Sequence, residues 1–248
     1  MFLRQKLLYA SNIIVVCEFN RGFLREHYPD IFDSIADKIH LHHLGLDLAE
    51  FRYEPGGRQV QRVLGVGGLE KYKGFEYLLR ATRELAYRGI DIDIELIGDG
   101  QEKDTLEALA RQLRINDRLK LRGWLPIDEV RRIMEQATIL VHPSMGLGDA
   151  VPTVIKEAMA LGTPVIASEI AGVPELLNGG RCGVLVPPKD VKALADGIEA
   201  LLGSIALRRT YAEAARKYAE DKFDLRRNGR LLANVLASTK GPTEAVSL

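Results

Sequence analysis

The chain contains 248 residues with 34 basic and 34 acidic side chains, so its formal net charge at neutral pH is zero. Domains that bind nucleic acid are usually strongly basic, and this balance argues against a nucleic-acid partner. The apolar fraction of 46% is typical of a globular protein, and no run approaches the roughly 20 apolar residues that span a bilayer. Cys17 and Cys182 lie far apart without metal-ligand spacing, and such a scarcity of cysteine favours a reducing cytoplasm.

Short apolar runs alternate along the chain with patterns of helical period. This alternation predicts an α/β fold, a Rossmann-like parallel sheet with helices on both faces. Strands are predicted at residues 12–17, 38–43, 61–66, 92–97, 119–121, 138–141, 164–167 and 183–186. Helices are predicted at residues 75–88, 101–113, 127–136, 153–161, 173–177, 191–202, 207–219 and 225–238.

Breaks in these patterns predict the domain organisation. Pro55, Gly56 and Gly57 interrupt both helical and strand periodicity, which predicts a linker at residues 51–59. The remaining segments are an initial segment, a sheet-containing domain, a pair of helices and a frayed tail, at residues 1–50, 60–206, 207–238 and 239–248.

Residues 146–167 join two carboxylates, Asp149 and Glu157, to the start of a predicted helix. We predict Pro152 at the first helical position, where its missing N–H costs nothing. Helical side chains lean toward the N-terminus, so the Glu157 carboxylate is expected to point toward the loop that carries Asp149. Free N–H groups and the positive end of the helix dipole attract a phosphate, and Glu157 is suited to accept hydrogen bonds from ribose hydroxyls. A nucleotide site is therefore predicted, with its phosphate at the backbone of Ala150, Val151, Pro152 and Thr153.

This segment resembles the E-x7-E signature of the family 4 (group 1) retaining glycosyltransferases, enzymes of the two-domain GT-B fold. The family pattern reads E-G-x-P-x-x-x-x-E-A-M-A, and the matching residues are Pro152, Glu157, Ala158, Met159 and Ala160. Asp149 replaces the first Glu of that pattern, and Ala150 replaces the glycine that follows it. By this resemblance, Asp149 lies beside the hydroxyls of the donor sugar, and Glu157 holds the ribose.

A glycine-rich junction lies between the predicted strand at residues 61–66 and the helix that follows it. Gly67 and Gly68 allow the backbone to approach an anion closely, and Lys73 adds a positive charge. Relatives in the family read G-R-L-x-x-x-K-G here, so the resemblance implies that Lys73 contacts the donor diphosphate. Gly68 takes the place of the usual Arg, a loss expected to weaken diphosphate binding by about ten- to a hundredfold. The alternative interpretation is a glycine turn with a solvated Lys.

Three further predicted strands end in residues that are expected to border the same cleft. Gly98 follows one of them, but the pattern does not match a dinucleotide site because Lys103 occupies the place of the third glycine. Trp124 is open to two interpretations, contact with the nucleotide base and packing in the core. Ser144 is expected to line the donor pocket, and the nearby His142 is assigned a structural role.

The resemblance implies transfer of a sugar from a nucleoside-diphosphate sugar to a hydroxyl acceptor, a glycan or a lipid, with retention at the anomeric carbon. The expected catalytic residues are Lys73, Asp149 and Glu157, and the reaction requires neither a metal nor a cofactor. Asp91 and Asp93 imitate a metal-binding D-x-D motif. They lie at the start of their predicted strand, away from the cleft, and are interpreted as a solvated turn.

Residues 1–50 resemble the end of the acceptor-side N-terminal domain of these enzymes. The chain is therefore expected to hold a complete donor domain and a remnant, which docks on that domain, binds a separate polypeptide or drives self-association. Two other functions stay open: a nucleotide-sugar binding module that is inactive without a separate acceptor domain, and a non-catalytic interaction protein. The expected location is cytoplasmic, and peripheral contact with an anionic membrane stays open for Arg226, Arg227 and Arg230.

Overall fold

A computed structural model describes residues 2–53 and 61–238 of the chain. The chain divides into two compact units, a larger one formed by Leu48–Asp221 and a smaller one formed by the segments up to Asp47 and from Lys222 onward. From position 54 onward the predicted linker lies outside the described residues, as does the predicted tail at residues 239–248.

Every strand and helix predicted from the sequence is present in the described part of the chain, with ends that differ by three residues or fewer. The strands are β1 (Ile13–Val15), β2 (Ile39–Leu41), β3 (Arg62–Val66), β4 (Asp93–Ile97), β5 (Leu119–Leu121), β6 (Ile139–His142), β7 (Val165–Ser168) and β8 (Val184–Val186). The helices are α1 (Phe2–Tyr9), α2 (Glu18–His27), α3 (Pro29–Ile35), α4 (Phe75–Tyr87), α5 (Lys103–Gln112), α6 (Ile127–Gln136), α7 (Thr153–Leu161), α8 (Val173–Leu176), α9 (Val191–Gly203), α10 (Ile205–Lys222) and α11 (Leu225–Ala237). Among residues 2–53 and 61–238, no helix has both the length and the apolar composition of a bilayer-spanning segment.

The larger unit is built on a six-stranded parallel sheet in the order β5-β4-β3-β6-β7-β8. Parallel strands need long crossovers, and the helices in these crossovers cover both faces of the sheet. Strands β6 and β7 are buried along their whole length, and each is apolar up to a buried polar residue at its last position, His142 or Ser168. Leu78, Leu85 and Ile94 are almost fully buried where α4 packs on the sheet. The predicted α/β fold is confirmed.

The order of the strands reverses between β3 and β6. Strands β4 and β5 lie on one side of β3, whereas β6, β7 and β8 follow on the other side. In such sheets the loops at the carboxyl ends of the two central strands diverge and leave a crevice in which ligands bind. The loops after β3 and β6 are the ones that carry Lys73 and Asp149.

The smaller unit contains a two-stranded parallel sheet in which Ile13 pairs with Ile39 and Val15 pairs with Leu41. The predicted strands at residues 12–17 and 38–43 are too long, because this ladder ends where α2 begins. The sequence patterns predict no helix in this segment, which is wrong for α1, α2 and α3. These helices are short, and they pack around a small core of their own that includes Phe32. Tertiary packing, rather than local propensity, holds such short helices.

The last helix, α11, belongs to the smaller unit. Leu46 pairs with Asp224 in a parallel bridge. The buried Asn228 donates from its side-chain amide to the carbonyl oxygens of His43 (2.8 Å) and Lys222 (2.7 Å). The two helices predicted together at residues 207–238 therefore lie in different compact units, because α10 belongs, except for its last residue, to the larger one.

Candidate functional site

Three glycines follow β3, β4 and β5 at the carboxyl edge of the sheet. The Gly67 N–H donates to the Ile97 carbonyl oxygen over 2.9 Å, and the Gly98 N–H donates to the Gly123 carbonyl oxygen over 2.8 Å. Gly98 has a φ of 135°, and an added Cβ would lie 1.9 Å from the Gly67 carbonyl oxygen. Only glycine fits so close to another backbone, and these contacts tie the three loops together.

The turn after β3 is fixed against the loop after β6. Lys71–Lys73 form a single turn of 3-10 helix. The Ser144 hydroxyl (3.1 Å) and the Met145 N–H (2.8 Å) both donate to the Tyr72 carbonyl oxygen. Ser144 is fully buried, so in this structure its hydroxyl fixes the turn. These bonds bring the turn onto the loop that carries Asp149.

Three side chains meet at the resulting junction, and we call Lys73, His142 and Asp149 the charged centre. The Lys73 ammonium lies 2.7 Å from Asp149 Oδ2, and His142 Nε2 lies 2.8 Å from the same oxygen. The three side chains are only 15%, 3% and 12% exposed, in that order. Lys73 and Asp149, both expected at the donor cleft, are thus in direct contact, and His142 is a third member that the sequence assigns only a structural role.

Asp149 is ionised at neutral pH despite its burial. Burial by itself would raise its pKa, but the hydrogen bonds and positive charge of His142 and Lys73 outweigh that effect and lower the pKa to about 2. An ionised carboxylate only accepts hydrogen bonds, so His142 Nε2 is a protonated nitrogen that donates to it.

Helix α7 begins directly after this loop and runs over Thr153–Leu161 as predicted. Pro152 is the N-cap residue, with φ −65° and ψ 120°, so its prediction as the first helical residue is wrong by one position. The extended ψ of Pro152 turns the chain before the helix starts. Ala150 and Val151 are half-buried beside it, and Thr153 is exposed. The first N–H groups of a helix lack partners within the helix, and the helix dipole makes this end attractive to an anion.

Glu157 lies one turn into α7 and is half-buried. Burial raises its pKa, and the positive charges of Arg131 and Lys156 offset that effect only in part. Lys156 is 1% exposed, and burial lowers its pKa. Arg131 forms an ion pair with Glu50 (2.8 Å) and stacks over the ring of Phe51. Glu157 is thus a carboxylate in cationic surroundings that do not fully compensate its burial.

Trp124 is 76% exposed in the loop between β5 and α6. This exposure excludes packing in the core, one of the two interpretations of this residue. Its neighbour Gly123 joins the glycine contacts, so the backbone of Trp124 lies at the same carboxyl edge of the sheet as the charged centre. Contact with a nucleotide base stays a prediction.

A carboxylate lies beside Gly68, the residue that replaces the Arg of the pattern this segment resembles. A Cβ added to Gly68 would lie 3.4 Å from Glu70 Oε1, which is ordinary contact. The Tyr72 hydroxyl donates to Glu70, and this hydrogen bond raises the pKa of Tyr72. The position of Gly68 is therefore open to a side chain, and its neighbour is negative.

The two aspartates of the D-x-D-like motif form ion pairs with an arginine. Arg118 lies 2.7 Å from Asp91 and 3.8 Å from Asp93, and both carboxylates are largely exposed. Within residues 2–53 and 61–238, no three His, Cys, Asp or Glu side chains are grouped so that they could hold a metal ion.

Sequence reasoning misses the tertiary partners of both carboxylates. Arg131 comes from α6 and approaches Glu157 only in the folded protein. His142 is separated from Asp149 by a loop whose course no periodicity specifies. One feature of the sequence could have identified His142 as a member of the charged centre. It ends a predicted buried strand, at the same edge of the sheet as Lys73.

The sequence of this chain matches a known protein family. The family profile described as glycosyl transferases group 1 matches residues 57–218. The chain is 31% identical over 215 residues to the amylovoran biosynthesis glycosyltransferase AmsK of Erwinia amylovora, an alignment that covers 81% of this chain and 51% of AmsK. It is 32% identical over 187 residues to the alpha-D-kanosaminyltransferase of Streptomyces kanamyceticus, covering 75% of this chain and 48% of that enzyme.

A solved structure shares the fold. Anabaena Alr3699/HepE, in complex with UDP and glucose, superposes with a TM-score of 0.79 at 22% identity, covering 95% of this chain and 65% of that one. The chain spans about half the length of the curated relatives it matches. Because the profile matches more than half of the residues, this chain belongs to the glycosyl transferases group 1 family.

Proposed function

We propose that this chain is the donor-binding half of a family 4-like retaining glycosyltransferase. The observation that carries the proposal is the charged centre, which lies at the carboxyl edge of the sheet beside the start of α7. A cation, an ionised carboxylate and a helix N-terminus at one point suit a nucleoside-diphosphate sugar, whose diphosphate is anionic and whose sugar offers hydroxyls.

Each residue has a role in this proposal. Lys73 and the start of α7 bind the diphosphate, and Asp149 accepts hydrogen bonds from the donor sugar. Glu157 accepts hydrogen bonds from the ribose, and Trp124 contacts the base. The residues that shape the backbone around the donor are Gly67, Gly68, Gly98, Ser144, Ala150, Val151, Pro152 and Thr153.

The proposed reaction breaks the bond between the anomeric carbon and the diphosphate oxygen. A bond to the acceptor oxygen replaces it with retention, the acceptor hydroxyl loses its proton, and a nucleoside diphosphate departs. Lys73 and the helix start supply positive charge where the leaving group gains negative charge, which is electrostatic stabilisation by groups already in place. This assignment calls on neither a metal nor a cofactor.

An acceptor and a second domain belong to the same proposal, because the chain spans about half the length of the curated relatives it matches. AmsK is described as an amylovoran biosynthesis glycosyltransferase. We propose a glycan or lipid hydroxyl as the acceptor, and a second domain, supplied in the same or a separate polypeptide, as its binding site. Orientation of two reactants supplies about 7–11 kcal/mol of barrier reduction, and this half alone positions only one of them. A cytoplasmic location, with peripheral membrane contact through exposed arginines of α11, belongs to the same proposal.

A thermal-shift screen against UDP-glucose, GDP-mannose and ADP-glucose tests the proposal. A donor at 100 times its dissociation constant stabilises the protein by about 2.7 kcal/mol. We expect one base to be preferred, and transfer by the chain alone to be hundreds of times slower than after addition of an acceptor domain. Absence of any nucleotide-dependent stabilisation would overturn the proposal.

A second candidate function is a nucleotide-sugar binding module without activity of its own. Glu70 beside Gly68 favours this candidate, because a carboxylate in place of the usual cation weakens the hold on a diphosphate. Binding without transfer, even with an acceptor domain present, would distinguish this module from the transferase. A non-catalytic interaction protein would bind no nucleotide at all.

A further inference from the structure

Two hydrogen-bond donors of different mobility share one oxygen of Asp149. Lys73 Nζ and His142 Nε2 both lie within 2.8 Å of Oδ2. A shared oxygen means that one donor can leave without the carboxylate losing every partner.

His142 is the fixed donor of the two. It is the last residue of β6, it pairs with Ala167 in the parallel ladder to β7, and it is 2% exposed. Its imidazole turns about two side-chain bonds, and the surrounding core restricts both. The ladder and the core therefore hold His142 at the edge of the sheet.

Lys73 is the mobile donor. It ends the 3-10 turn, and its ammonium is reached through four rotatable bonds. Its side chain passes over Gly67, where an added Cβ would lie 3.9 Å from Nζ. Rotation about these bonds would move the ammonium from Asp149 toward an anion bound at the glycine loop.

Binding of a nucleotide sugar would change the hydrogen-bond partners of Asp149. A diphosphate carries more negative charge than one carboxylate and competes for Lys73. The Asp149 carboxylate is only 12% exposed. Once Lys73 turns to the phosphate, this carboxylate needs another hydrogen-bond donor to keep its charge and its orientation. His142 already occupies that position.

Resting on the proposed donor site, we propose that His142 is a positioning residue, whose hydrogen bond keeps the Asp149 carboxylate facing the donor sugar while Lys73 binds the diphosphate. This role concerns recognition of the sugar. It therefore affects the preference for a sugar nucleotide over the bare diphosphate more than it affects binding of the diphosphate itself.

The test compares His142→Leu with His142→Gln. Both replacements are close to histidine in size, but only glutamine keeps a donor at similar reach. Titration calorimetry on the full chain measures the ratio of the UDP and UDP-glucose dissociation constants, or the GDP and GDP-mannose or ADP and ADP-glucose ratio if the screen selects that base. We expect wild type and His142→Gln to prefer the sugar nucleotide, and His142→Leu to lose about tenfold of that preference.

Thr138→Val is the matched control. Thr138 is buried just before the opposite end of β6, so this variant removes a polar group from the same strand without touching Asp149. Its ratio should equal that of wild type. Equal ratios in all four proteins, or no preference in wild type, would overturn the role of His142 while leaving nucleotide binding intact. Wild type that binds none of the three nucleotide pairs would overturn the proposed function, and this inference with it.

A measurement on the wild type covers the case in which His142→Leu fails to fold. The Nε2–H proton resonance of His142, assigned with His142→Gln, should remain hydrogen-bonded and slowly exchanging when the preferred nucleoside diphosphate saturates the protein. Rapid exchange of this proton in the complex would mean that His142 releases Asp149 on binding, and the inference would be wrong.

Discussion

Asp149 and Glu157 lie eight positions apart around the start of α7, yet their surroundings act on them in opposite directions. Burial disfavours the charge of both carboxylates. For Asp149, His142 and Lys73 reverse that effect and lower the pKa to about 2. For Glu157, Arg131 and Lys156 fail to reverse it, and the pKa is raised.

The difference shows how one short segment supplies two kinds of hydrogen-bond acceptor. Asp149 is fixed and ionised by partners inside the protein before any ligand arrives. Glu157 has a charge that its surroundings compensate only in part, so new hydrogen bonds from a ligand stabilise it. In a donor site, the first arrangement suits orientation of a sugar, and the second contributes affinity for the hydroxyls of a ribose.

The largest effect is expected from Lys73→Met, which removes the ammonium that is hydrogen-bonded to Asp149 and leaves the surroundings of Glu157 unchanged. Loss of a charge-assisted contact of roughly 1.5–3 kcal/mol should weaken binding of the nucleoside diphosphate by up to about a hundredfold. Binding of the nucleoside should not change. Calorimetric titration of both ligands checks this, with Lys71→Met as the control because Lys71 is exposed on the same turn. A comparable loss in both variants would show that net charge, and not the position of Lys73, matters.

Opposite pH dependences are expected for Asp149→Asn and Glu157→Gln. The lowered pKa of Asp149, from 3.8 to about 2, corresponds to about 2 kcal/mol of stability that is present above pH 3.8 and lost as pH falls toward 2. Asp149→Asn should therefore be less stable than wild type at neutral pH, and this difference in stability should disappear in acid.

The raised pKa of Glu157 destabilises the folded state at neutral pH, and this cost disappears as pH falls toward the ordinary carboxyl pKa of 4.5. Glu157→Gln should thus be more stable than wild type at neutral pH.

Urea unfolding curves across this pH range measure both differences. If the two variants shift stability in the same direction at neutral pH, the contrast between the carboxylates is wrong.

A smaller effect is expected from Glu157→Ala. Loss of hydrogen bonds from ribose hydroxyls should weaken nucleotide and nucleoside binding alike, by about tenfold, because the phosphate is not involved. The domain should stay folded, since Glu157 is half-buried and outside the apolar core. Titration with UDP and uridine, or the matching pair for another base, checks this. Unchanged affinity would remove Glu157 from the site.

The smallest effect is expected from Gly68→Arg, which adds a second cation on the Asp149 side of the site. Binding of the diphosphate should tighten by about fivefold, more at low salt, because Glu70 competes for the new guanidinium. The double variant Gly68→Arg with Glu70→Gln should gain more than the single one. An equal effect on nucleoside and diphosphate would show that position 68 does not face the phosphates.

The local sequence pattern was enough to predict most strands and helices of the larger unit. The strands at the centre of the sheet are apolar runs between turns, and α6 and α7 have the predicted limits because their apolar residues recur at helical spacing. Helices α1, α2 and α3 of the smaller unit were not predicted, because they are short and depend on packing around Phe32 and its neighbours. Pro152 was misplaced by one position because the same proline φ suits both the cap and the first helical residue, and only ψ separates them.

The sequence by itself determined the α/β class, and it predicted the edge of the candidate site and the candidates Lys73, Asp149 and Glu157. Period, glycine position and motif spacing are properties of neighbouring residues, and they survive without the fold. Only the tertiary structure decided that His142 and Lys73 share one oxygen of Asp149, that Arg131 faces Glu157 and that Trp124 is exposed. These relations join residues from different loops and helices, and their distances are set by how the strands order in the sheet and how the loops at its edge pack.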